Sequence, residues 1–156
     1  MFTGVEIEET GILLLTAAEP FSVDDVIAFT GAVAAGRYPG IALDMPAILD
    51  IRGVDLVRIP TSEVSRYVMR RRALTEQPQA GDMAIVCGDM GSFGMLRMFG
   101  IVSELAGLRM EERLLVTMDF DEAVDFICAR TGRPPETRDA LLAAIVAQAD
   151  AQASRA

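Results

Sequence analysis

The amino-acid sequence predicts an α/β fold, and three stretches carry that expectation. Ala84 to Leu105 (AIVCGDMGSFGMLRMFGIVSEL) is a short apolar run that breaks at Gly88, Gly91 and Gly94 and resumes with helical spacing, the pattern of strand, tight turn and helix. Ala47 to Ile51 (AILDI) runs through Arg52, Gly53 and Val54 to Ile59-Pro60-Thr61-Ser62 and then a second helical stretch. Gly11 to Thr16 (GILLLT) is an uninterrupted apolar run suited to a strand buried within a sheet. Strands that alternate with helices favour a mixed, mainly parallel sheet covered by those helices.

Along the chain, Glu6 to Glu9 and Gly11 to Thr16 read as two strands joined at Thr10-Gly11. Ser22 then caps a helix: Asp24 and Asp25 suit its positive first turn, Val23, Val26, Ile27 and Val33 form its apolar face, and Gly36 and Pro39-Gly40 end it. After the strand Ala47 to Ile51, the Pro60-Thr61 start signal opens a helix from about Ser62 to Thr75, with Val64, Tyr67, Val68 and Leu74 inward and Arg66, Arg70 and Arg72 outward. Gln77 to Gly81 is a loop, Met83 to Cys87 a strand, Ser92 to Gly107 a helix and Arg113 to Thr117 a strand. Asp119 or Asp121 caps a helix to Ala129, and Thr131 to Pro135 stops it. A final helix from about Glu136 to Ala153 carries Leu141, Leu142, Ile145, Val146 and Ala149 at helical spacing. The expected organisation is one domain over residues 1–132 with 133–156 as a helical extension of it.

Composition excludes chemistry more firmly than any motif proposes it. With no histidine there is no His-based triad, imidazole base or His-ligated zinc. All fourteen basic residues are arginines, so there is no Schiff-base lysine and no P-loop; the same bias fits a GC-rich bacterial coding sequence. Cys87 and Cys128 lie in apolar patterns as reduced, buried thiols. The net charge of −9 divides as −6 over residues 1–49, +1 over 50–100 and −4 over 101–156, which disfavours nucleic acid and acidic membrane surfaces. No apolar segment has the ~20 residues that span a bilayer, and the expectation is a cytoplasmic protein without a cofactor or bound metal. The pairs Asp50/Asp55 and Asp119/Asp121 do not by their spacing define an acid–base or magnesium site.

The order of elements, a hairpin followed by repeated helix–strand units with ILDIRGVDL at Ile48 to Leu56 before a helix, resembles the STAS fold and particularly its SpoIIAA-like branch, over roughly Ile12 to Ala129. The resemblance implies a regulatory or protein-interaction module rather than an enzyme, with a protein partner or self-association as a homodimer. STAS anti-sigma-factor antagonists carry an Asp-Ser pair after this strand, whose serine a partner kinase phosphorylates. Here Arg58-Ile59 stands in that place, leaving Thr61 and Ser62 as displaced phosphorylation candidates whose alternative role is helix capping.

The glycine turn yields a second candidate function, a binding protein or sensor for a small amphipathic or anionic ligand. Asp89, Gly91, Ser92 and Gly94 at a helix start offer backbone N–H groups to an anion, but the GxxGxxG spacing departs from the dinucleotide fingerprint, and the favoured alternative is a plain βα turn in which Asp89 or Ser92 caps the helix and Gly94 and Gly100 allow close helix packing. Arg66 and Arg70, in a row with Arg71 and Arg72, supply a clamp for an acid group if Arg97 comes close. The helix after the turn is apolar nearly all round, and its surplus surface calls for cover by the terminal helix, a second subunit or an apolar ligand.

Overall fold

The computed structural model describes residues 2–7, 10–74 and 81–153. Five strands form one sheet in the order β1 (Phe2–Ile7), β2 (Ile12–Ala18), β3 (Ala47–Gly53), β4 (Met83–Val86), β5 (Leu114–Thr117). β1 pairs antiparallel with β2, and β2 through β5 are parallel. The sheet is therefore mixed and mainly parallel within an α/β fold. The first strand begins four residues before the expected Glu6, and Glu8 and Glu9 lie outside the described residues.

Register explains the apolar runs. Leu14, Ile48, Ala84 and Leu115 stand side by side across the parallel strands, and the next row is Leu15, Leu49, Ile85 and Val116. Successive side chains point to opposite faces, so adjacent rows serve opposite layers. The row of Leu14 meets Val124, Ile127, Leu141 and Ile145, whereas the row of Leu15 meets the other helical layer. Both faces are covered, as a parallel sheet requires.

The first layer holds α1 (Val23–Ala34), α2 (Thr61–Ala73) and α3 (Met90–Leu105); the second holds α4 (Phe120–Thr131) and α5 (Pro135–Ala153). α1 starts with a reciprocal cap: Asp25 N donates to Ser22 Oγ and Ser22 N to Asp25 Oδ2, both at 3.2 Å. α4 is capped by Asp119, whose Oδ1 accepts from Asp121 N at 2.8 Å, and it ends at Gly132 with φ +62°. α2 differs from expectation. It begins one residue early, at Thr61, behind Pro60, and no side chain caps it, so neither Thr61 nor Ser62 plays that part. Leu74, expected inward, is exposed because it falls at the end of the helix.

The terminal helix is no mere appendage: Leu141 is wholly buried in the core under β2–β4, and Arg138 donates to Asp121 and Asp125 of α4 at 2.7 Å each. Its position on the second layer removes it as cover for α3, which lies on the first. No helix among the described residues is long and apolar enough to cross a membrane.

Candidate functional site

The glycine turn between β4 and α3 is filled by the chain itself. Asp89 caps α3, its Oδ1 accepting from Ser92 N at 2.9 Å and its Oδ2 from Ser92 Oγ at 2.7 Å. Those bonds, the backbone one foremost, hold the Asp89 carboxyl below the usual carboxylate range. An incoming anion at this helix start meets a carboxylate already in place. Ser92 is fully buried. A Cβ on Gly91 would stand 2.6 Å from Val57 Cγ2, and one on Gly88 would stand 2.8 Å from the Arg52 carbonyl oxygen, so Gly88 is used in close approach to the end of β3 and Gly91 to the segment after it. Gly94 faces open space.

The arginines are likewise dispersed. Arg66 Nη1 donates to Asp24 Oδ1 at 2.7 Å and Arg66 Nη2 to Glu63, fastening α2 to α1. Arg97 pairs at 3.2 Å with Glu111, in a short 3-10 turn before β5, and Arg70 is exposed on α2. Arg66 and Arg97 thus answer to separate acids on separate elements. Glu76, spaced from Arg72 for an i,i+4 pair, lies outside the described residues.

A different site lies between the sheet and the first helical layer. A cavity of about 160 Å³ is bounded below by Leu13, Leu15, Leu49 and Ile85 of the sheet and above by Val26 and Val33 of α1, Val64 of α2 and Phe99 of α3. Every other lining side chain is apolar too, apart from Thr30, Tyr67, Arg71 and Arg109. Thr30 Oγ1 donates within its own helix to Val26 O at 2.9 Å, so it makes no demand on the cavity.

The remaining polar groups gather where β3 and β4 begin. Arg71 is only 5% exposed, in the last turn of α2, and its Nη2 donates to Leu43 O at 2.7 Å. Arg109, just after the Gly107 turn that ends α3, keeps part of its surface in solvent while its Nε is enclosed and without an acceptor among the described residues; its Nη1 reaches Met83 Sδ at 3.1 Å. Burial lowers the Arg71 pKa and takes that of Arg109 down to about 10, with the neighbouring Arg71 charge adding to the latter. Burial raises the Tyr67 phenol. Both guanidinium groups stay charged at neutral pH, and both side chains border an apolar space.

At the opposite end of the strands, Phe21, Val23 and Ile59 line this cavity and also a wider groove of about 680 Å³ whose rim carries Glu19, Asp55, Arg58 and Glu63. The two ends therefore differ in charge: acidic where the parallel strands finish, basic where they start.

The sequence contained one signal for Arg71. It lies four residues after Tyr67 and three after Val68, on the inward face of α2, although it reads as part of an exposed arginine row. Arg109 had no comparable signal, because it follows α3 in an irregular segment that only the tertiary fold carries to Met83. In comparisons with family models, curated proteins and solved structures, nothing matches the chain.

Proposed function

We propose that the chain is a non-catalytic regulatory module of the STAS type that acts as a binding protein or sensor for a small amphipathic ligand held between the sheet and helices α1–α3. The STAS assignment rests on the order of its elements and on Ile48 to Leu56. The observation that carries the binding role is the apolar cavity with two arginines at one end. Close-packed interiors hold few voids larger than a water molecule. Space of about 160 Å³ walled by apolar side chains between the sheet and helices α1–α3 is accounted for by a site for a guest.

Mass spectra of the protein purified from its own host, recorded under native and denaturing conditions, test the reading. Retained mass that is released on denaturation is the expected result. A bare chain in every preparation, even from cells grown under varied conditions, contradicts it.

A second reading has its own support. α3 leaves Met90, Ile101 and Leu105 exposed along one side, Leu105 at 83%, with the exposed Val57 close to the start of that row. Such a stripe suits a protein partner or a second copy. A dimer mass in the native spectrum supports it, and a monomer at all concentrations speaks against the second copy.

A further inference from the structure

We infer that the basic end of the cavity is a receptor for the carboxylate of a ring-sized apolar acid, with Arg71 and Arg109 as its anion-binding pair and the apolar walls around its hydrocarbon part. The inference rests on the ligand-binding reading above and adds the class of ligand and the residues that select it.

Size limits the hydrocarbon part. A cavity of about 150 Å³ accepts benzene, so the space of about 160 Å³ here matches a single ring or a short chain. Charge defines the other end. Asp82, which attracts Arg109, is already engaged, with Oδ1 3.1 Å from both Arg113 Nε and Arg130 Nε. Asp44 attracts Arg71 from an exposed position. Neither acid makes a hydrogen bond to Arg109, whose best partner is the Met83 thioether, a weak acceptor.

An enclosed guanidinium N–H without an acceptor is costly, and a carboxylate accepts planar, paired N–H bonds of the kind arginine offers. The Arg71 side chain already touches Tyr67 and the Leu43 carbonyl, which fixes its position beside the cavity. A singly charged group is favoured over a phosphate monoester because a second buried negative charge adds a further desolvation cost.

The test is calorimetric titration of the full chain at pH 7 with cyclohexanecarboxylate and, separately, with cyclohexanecarboxamide, its neutral counterpart. The expected result is an acid that binds at least tenfold more tightly than the amide, with Arg109→Met abolishing that preference. The comparison of acid and amide on the unaltered protein needs no variant, so it decides the matter even if Arg109→Met does not fold. An amide that binds as well as the acid, or a preference that survives Arg109→Met, overturns the carboxylate receptor while leaving the cavity as a binding site. No binding of either compound at millimolar concentration overturns both.

Discussion

Arg109 presents the sharpest conflict between stability and use. Its Nε is enclosed without an acceptor among the described residues, and Arg71 lies near enough to oppose its charge. Replacing buried ion pairs by apolar side chains of similar volume is often neutral or stabilising by ~1–4 kcal/mol, and a half-buried guanidinium whose enclosed N–H is uncompensated follows the same logic. Arg109→Met in the ligand-free protein is therefore expected to raise the melting temperature, by about 2–4 °C for each kcal/mol gained at this chain length. Calorimetric unfolding of the two proteins checks it, and a fall of several degrees would show that Arg109 has a structural partner. Asp89 illustrates the reverse case. Both of its carboxylate oxygens are taken by Ser92, so of the two readings its position allows, anion-turn residue and helix cap, the fold uses the cap.

At the level of elements, α3 separates what spacing reveals from what it conceals. Its start after a glycine turn, and the strand before it, follow from the apolar pattern of Ala84 to Leu105. The roles of the individual glycines do not, because they depend on a segment more than thirty residues earlier. Gly88 lies against the Arg52 backbone, which cannot give way as a side-chain tip can, whereas Gly94 meets nothing within 4 Å. Gly88→Ala is expected to destabilise by about 1–3 kcal/mol through overpacking. Gly94→Ala is expected to stabilise by ~0.5–1 kcal/mol, as alanine does in an exposed helix interior. Urea unfolding of the pair measures both; equal effects would contradict this account of the turn. The same limit applies to α5, whose apolar spacing predicts a packed helix but not which layer receives it.

In the whole molecule, the α/β class and the alternation of strand and helix were legible because apolar period and glycine or proline punctuation are local signals. The candidate site was not, because the cavity is made by the distance between layers. Leu15 and Leu49 reach it from the sheet, Val33 from α1, Arg71 from α2 and Arg109 from beyond α3, so its walls are drawn from segments that only the tertiary fold brings together. The basic end also lies where the parallel strands begin, whereas ligands of open α/β sheets gather at the carboxyl ends of their strands. The glycine turn lies at the opposite edge, after β4, so a search guided by it does not lead to the basic end of the cavity. The methionines offer a direct check, since Met45, Met83 and Met95 line the cavity while Met90, Met110 and Met118 are exposed. Methyl NMR of the full chain titrated with cyclohexanecarboxylate is predicted to shift the Met45, Met83 and Met95 signals and leave those of Met90, Met110 and Met118 in place; shifts confined to the exposed methyls, or none at all, would contradict a ligand site between the sheet and its first helical layer.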